Sequence, residues 1–244
     1  MLFILIFHIF SSKTSKIPSE YKHAGSSITQ IQDQIPKAAK LTGTCGPSLT
    51  FNFENGQLSI EGQGPMYNYS STEHSPWYSI RETIQTVKLS EGIETIGSYS
   101  FHNCINLTMI TIPESVKTIE SSAFSSCLSL KSITLPSQIT IIKENLFNSC
   151  VKLSTIQILG QVETIEPFSF FFCRNLNSIF LPESVKSIGE SSFYLCESLK
   201  SITIHENIEW IGSKAFHSCN SLKSFTIPSK VKIVKERLFA ECSL

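Results

Sequence analysis

The sequence predicts an α/β solenoid: a right-handed stack of coils sharing one parallel sheet, with short helices behind it and a β-hairpin cap at its N-terminal end. Three observations predict it. Seven cysteines recur every 23 residues, at Cys104, Cys127, Cys150, Cys173, Cys196, Cys219 and Cys242. A Phe stands three residues before each one, from Phe101 through Phe124, Phe147, Phe170, Phe193 and Phe216 to Phe239. An aliphatic residue stands eight before (Ile96, Ile119, Ile142, Ile165, Ile188, Ile211, Val234), and a Leu follows at plus three from Leu107 to Leu222. A fixed period of this length marks stacked units that contact only their neighbours. Such a fold is chiefly surface, so binding is the expected function.

The elements follow in order. The first ten residues are an apolar run, too short for a bilayer, which needs roughly 20 residues. With Ser11 and Ser12 behind it, residues 1–12 suit a signal peptide. No Lys or Arg precedes the run, so an apolar start without that role stays open. No transmembrane segment is expected. Residues 13–40 are polar and aperiodic, a linker or poorly ordered segment. Residues 41–80 differ from the repeats: residues 48–53 and 57–61 alternate, with Asn55-Gly56 between them. Asn-Gly between alternating runs is a strong hairpin signal. The hairpin is expected to cap the solenoid, whose open end would expose core and strand edge.

Residues 81–244 are the solenoid. In each coil a segment such as Leu130-Lys131-Ser132-Ile133-Thr134-Leu135-Pro136 alternates inward Ile or Leu with outward Ser or Thr, which makes a short strand that Pro ends. A second pair, such as Val116 and Ile119, turns the chain back into the core. Ala123, Phe124, Cys127 and Leu130 then fall on one face of a short helix. Leu159 and His205 stand in place of the strand-ending Pro. The last coil, around residues 225–227, lacks a following strand or terminal cap before Leu244. Its open edge is expected to invite end-to-end self-association.

Gly43-Thr44-Cys45-Gly46, the strand from Leu49 to Phe53, Leu58-Ser59-Ile60-Glu61-Gly62-Gln63-Gly64 and Pro76-Trp77-Tyr78 resemble the N-terminal cap of BspA-like surface antigens. Repeats such as Ile112-Pro113-Glu114-Ser115-Val116-Lys117-Thr118-Ile119 resemble that family's leucine-rich repeat. The resemblance implies a surface or secreted protein that adheres to host or microbial protein or glycan. It supplies no catalytic residues. An intracellular leucine-rich-repeat scaffold is the alternative.

Composition excludes several functions. Lys and Arg number 20, as do Asp and Glu, so the formal net charge is zero. Nucleic-acid binders are normally basic, and no nucleic-acid partner is expected. Charged residues are only 16% of the chain, leaving Ser and Thr to supply much of the polar surface. Asp33 is the only Asp. His102 and His217 are five coils apart, roughly 24 Å at strand spacing. No Cys-x-x-Cys or phosphate loop occurs. The expectation is therefore no enzyme, no cofactor and no metal site. The cysteine column reads as small apolar filler rather than disulfides, because stacked equivalents point in parallel and seven cannot pair fully.

Two departures from the repeat are candidate binding sites. The outward strand positions read Thr111, Thr134, Gln157, Phe180, Thr203 and Thr226. A lone Phe180 beside Gln157 and Thr203 is either a binding anchor or an ordinary exposed apolar residue. On the helix side, Phe171 and Phe172, with Phe168 in the same coil and Tyr194 and Leu195 in the next, either form an apolar interface patch or are buried between coils. Asn68-Tyr69-Ser70 and Asn106-Leu107-Thr108 are glycan acceptors if the chain enters a eukaryotic secretory path.

Overall fold

The computed structural model of the chain describes residues 40–243. The expected signal peptide at 1–12 and all of the 13–40 linker except Lys40 lie outside the described residues, as does Asp33.

The cap is built first. β1 (Leu41–Gly46), β2 (Leu49–Glu54) and β3 (Gln57–Gly62) form an antiparallel meander. Alternation dictates it: Leu49, Phe51 and Phe53 on β2 and Leu58 and Ile60 on β3 are buried, while their neighbours face out. Asn55 and Gly56 turn β2 into β3 with φ of 51° and 81°, the left-handed pair that a tight hairpin requires. β1 adds a third strand to the expected hairpin. A 3-10 helix, Tyr78–Thr83, follows. β3 then pairs in parallel with β5 (Thr86–Leu89), in register from Gln57 and Thr86 to Ile60 and Leu89. The cap thereby occupies the edge of the first coil.

The coils up to Ile211 contribute two short strands each where one was expected, and the cap adds β4 (Gly64–Pro65). The first set comprises β5, β7 (Met109–Thr111), β9 (Ser132–Leu135), β11 (Thr155–Ile158), β13 (Ser178–Ile179) and β15 (Ser201–Ile202). The second comprises β4 (Gly64–Pro65), β6 (Ile93–Ile96), β8 (Thr118–Ile119), β10 (Ile141–Ile142), β12 (Thr164–Ile165), β14 (Ser187–Ile188) and β16 (Trp210–Ile211). Within these sets pairing is parallel and, apart from β4 with β6, joins residues 23 apart, as in Ser132 with Thr155 and Ser187 with Trp210; the first set pairs as β5–β7, β9–β11 and β13–β15, the second as β4–β6–β8 and β10–β12–β14–β16. The apolar pair that was expected only to turn the chain back is therefore a second sheet face. Residues 225–227, expected as a further strand, carry no ladder pairing. Their coil joins its predecessor through Lys214, Phe216 and Ser218, whose N–H groups donate to the Glu236, Leu238 and Ala240 carbonyls.

The segments expected as short helices are trains of turns. Residues five and one before each column Cys take φ between 51° and 62°, as at Ser122 and Ser126 or Asn145 and Ser149. A left-handed residue every fourth position cannot continue an α-helix. The N–H groups alternate instead. Ala123, Ser125 and Cys127 donate three residues back, to Glu120, Ser122 and Phe124 carbonyls, at 3.1–3.2 Å. Ser122, Phe124 and Ser126 donate to the next coil, to Glu144, Leu146 and Asn148 carbonyls, at 3.0, 3.1 and 2.7 Å. The turn train is thus a third hydrogen-bonded ladder. The expected inward set holds: Ala123, Phe124, Cys127 and Leu130 are all buried.

Two columns fill the interior. Trp77 heads a stack running through Phe101, Phe124, Phe147, Phe170, Phe193 and Phe216 to Phe239, with centroids 5.1–5.8 Å apart and planes within 21° of parallel. The Trp77 indole N–H donates to the Ser100 carbonyl at 2.7 Å, tying the cap to the stack. Beside it run the thiols. They are more than filler: Cys127, Cys150, Cys173, Cys196 and Cys219 each donate S–H to the Phe carbonyl of the preceding coil, from Phe101 to Phe193, at 3.2–3.3 Å. Cys242 does the same to Phe216. Burial pushes the Cys104 and Cys150 thiols from 9.0 up to about 12, and Cys127, Cys173 and Cys196 well above their ordinary value.

Three outcomes are expected. Phe147→Ala removes a buried ring from mid-stack and lowers the unfolding free energy by about 3–5 kcal/mol; chemical denaturation checks it. The thiols resist labelling in the native protein at pH 8, since the thiolate is the reactive form. They also make the fold alkali-sensitive. An unfolded thiol ionises near 9.0, while the buried one stays protonated until about 12. Their contribution is therefore complete below pH 9 and is lost as pH rises toward 12, at about 1.4 kcal/mol per thiol per pH unit. Urea midpoints at pH 8 and pH 10 report the loss.

Candidate functional site

Because the interior is filled by repeating residues, the variable residues face outward on three ladders. On the first strand ladder, alternation turns Gln157 and Phe180 outward on neighbouring coils. Phe180 is 68% exposed. Its ring meets that of His205 edge-on, at 6.1 Å and 78°. His205 Nε2–H donates to the Leu181 carbonyl at 2.8 Å, which holds the imidazole there. A Pro at position 205 has no side-chain N–H to make this bond, so two separate departures from the repeat form one feature. Thr203 is half-buried next to it, and Gln157 is exposed.

Phe171, Phe172 and Tyr194 lie on the turn ladder. Each is half-buried, so neither sequence reading holds outright. Phe171 stacks on Tyr194 at 5.1 Å, and Tyr194 on His217 at 4.6 Å, a second aromatic column outside the core. Phe168 meets Phe171 edge-on at 5.9 Å, and the Arg174 guanidinium lies 5.0 Å from the Phe172 centroid. Phe168 and Phe172 have φ of 57° and 62°, where other coils place Ser or Asn but also Tyr99, Leu195, Lys214, Arg237 and Glu241; bulky residues rarely adopt this conformation. The six sequence-selected residues therefore form two groups, Gln157, Phe180 and Thr203 on one ladder and Phe171, Phe172 and Tyr194 on another.

Ser218, His217 and Glu241 are in contact, but in an order unsuited to nucleophile activation. The Ser218 hydroxyl is shared between His217 Nδ1 at 2.8 Å and the Glu241 carboxylate at 3.0 Å. A relay places the imidazole between hydroxyl and acid. Burial, first, also lowers the His217 pKa. Among the described residues no group of three or more His, Cys, Asp or Glu is placed to hold a metal ion, and no helix is long and apolar enough to cross a membrane. Of the two sequons, Asn68 is exposed and its Oδ1 accepts from Ser98 N–H at 2.9 Å. The Asn106 amide nitrogen is engaged, donating to the Glu82 carbonyl at 2.7 Å.

The sequence reading missed a groove on the second strand ladder. It measures about 540 Å³ and runs from Thr164 and Glu166 to Lys235 and Glu236. Trp210, 47% exposed, is its one aromatic residue. Its floor is Gly189 and Gly212, where adjacent coils approach so closely that an added Cβ would lie 2.5 Å from Pro167 N or 2.4 Å from Glu190 N. The signal was present: other coils carry Thr95, Thr118, Ile141, Thr164 or Ser187 at the Trp210 position, and Gly97, Glu120, Lys143 or Glu166 at the glycine position.

A family model for the BspA type leucine rich repeat region matches residues 76–170 and 142–244, with six copies of the repeat. No curated protein sequence matches the chain. Among solved structures, a leucine-rich-repeat protein of T. pallidum is similar with a TM-score of 0.59 and 21% identity, over 75% of this chain and 88% of its own. A leucine-rich-repeat protein of Eubacterium ventriosum gives 0.48 and 21%, over 84% and 77%. A leucine-rich cell surface protein of Faecalibacterium prausnitzii gives 0.37 and 16%, over 85% and 82%. At these identities the T. pallidum likeness concerns the fold alone. With the repeat matched over well more than half of its length, the chain belongs to the BspA-type leucine-rich-repeat family.

Proposed function

We propose that the chain is a non-enzymatic binding protein of the cell surface or the secreted fraction, adhering to protein or glycan of a host or another microbe. The observation that carries this reading is Phe180, a large apolar ring 68% exposed in a row of Thr and Gln and braced by His205. A braced aromatic ring loses little freedom on binding, and such anchors dominate interfaces. The hydroxyl and amide groups of Thr134, Gln157 and Thr203 supply a polar rim. The half-buried Phe171, Phe172 and Tyr194 offer a second contact area. Family membership supports display at the surface.

A second reading, an intracellular scaffold using the same faces, is favoured by one observation. All eight cysteines are free thiols, and free thiols are characteristic of reducing compartments. Burial of seven of them gives protection in an oxidising compartment too. N-terminal sequencing and surface labelling of the native protein separate the two: loss of the apolar start with surface label supports export, and an intact residue 1–10 segment without label supports the scaffold.

Replacing the anchor tests the face. Phe180→Ser should weaken binding of the purified chain to target cells by about 30-fold, as loss of a hot spot of ~2 kcal/mol does. Its unfolding midpoint should stay unchanged, because the ring is outside the core. Unchanged binding removes this face from the proposal.

A further inference from the structure

We infer that the groove at Trp210 is a docking site for a basic side chain, Lys or Arg, presented by a partner protein. This rests on reading the chain as a binding module and names one partner chemistry for it. Three features lead there. First, the groove is built by subtraction. At the two glycines no side chain rises from the floor, and neighbouring backbone packs directly against them, so the groove is walled by Trp210, Lys235 and the Glu side chains. Second, it is acidic. Glu166, Glu190 and Glu236 line it against Lys235 as the one cation. Glu166 is spoken for, its carboxylate accepting from Glu144 N–H at 2.8 Å. None of the ion pairs among the described residues involves Glu190 or Glu236, and both carboxylates are left to a partner.

Third, the indole already receives a cation. The Lys235 ammonium lies 4.3 Å from the Trp210 ring centroid, the geometry of a cation–π contact. Lys235 enters none of the ion pairs either, although three carboxylates line the same groove. The ring thus holds an ammonium from the chain's own last described coil. An exposed contact of this kind is weak, so an incoming guanidinium that reaches both the ring and the free carboxylates can displace it. A neutral sugar would use the ring but leave both charges unmatched, and an acidic partner would be repelled.

The test uses the purified full chain and hexa-arginine as probe, read by calorimetry and Trp fluorescence. Trp210 is exposed while Trp77 is fully buried, so the fluorescence change reports the groove. Hexa-arginine is expected to bind saturably. Glu190→Gln with Glu236→Gln should weaken it at least about tenfold, and Trp210→Ala should weaken it by several-fold and remove the fluorescence response. Lys235→Met, which takes the internal cation off the ring, should tighten binding several-fold. Circular dichroism confirms that each variant is folded, and the double Glu variant leaves the ring untouched if Trp210→Ala does not fold. The inference is overturned if hexa-arginine does not saturate, if it binds the Glu and Trp variants as well as the parent, or if Lys235→Met leaves affinity unchanged. It is equally overturned if cellohexaose occupies the groove and hexa-arginine does not. Because no cells are used, failure here is distinct from failure of adhesion through the Phe180 face.

Discussion

Each column Phe carbonyl from Phe101 to Phe216 accepts two donors, and the stack depends on that. Phe101 takes the Cys104 N–H of its own coil at 3.1 Å and the Cys127 S–H of the next at 3.2 Å. The first bond closes the turn; the second sets where the following coil must sit. The rings above repeat at 5.1–5.8 Å, slightly wider than the roughly 4.8 Å between paired strands. A thiol is small enough to fit beside the ring and long enough to reach back to the carbonyl. Ala would leave the second acceptor site empty, and a larger side chain would force the coils apart. One period therefore satisfies packing and hydrogen bonding together, and an insertion of a single residue would put both columns out of register.

That economy explains why function must lie outside. The inward positions are committed to Phe, Cys, Ile and Leu, so variation is tolerated only where a side chain leaves the stack. Phe180, Trp210 and the Phe171-Tyr194-His217 column each sit on a different ladder, and none contributes to the central stack. Phe168 and Phe172 are harder to accommodate. They hold left-handed backbone that Ser and Asn adopt more readily, at a cost of order 1–3 kcal/mol each.

Much of the fold was legible in the sequence. The hairpin turn was visible in Asn55-Gly56, and the inward faces in the period itself. The helices were not real because the positions that a short helix buries, Ala123, Phe124, Cys127 and Leu130, are also those that a turn train buries. Side-chain periodicity cannot separate the two; the left-handed Ser122 and Ser126 can. The second ladder escaped because strands such as Thr164–Ile165 are too short for alternation to show. The thiol bonds depend on rotamer, which no spacing reveals. At the surface, Phe180 and His205 were each visible as departures, but their contact spans consecutive coils. The groove depends on backbone approach at Gly189 and Gly212, so its composition was readable while its shape was not.

Native-state hydrogen exchange tests the central role of the columns most directly. The amides of Phe124, Phe147 and Phe170 donate to the Leu146, Ser169 and Ser192 carbonyls of the following coils. If the columns bind coil to coil, these three should exchange together, and only through global unfolding, at least as slowly as Ile133 and Ile156 on the first strand ladder. Exchange of the Phe amides about 100-fold faster than those strand amides would contradict this. It would show that the strands carry the stack and that the columns merely fill it.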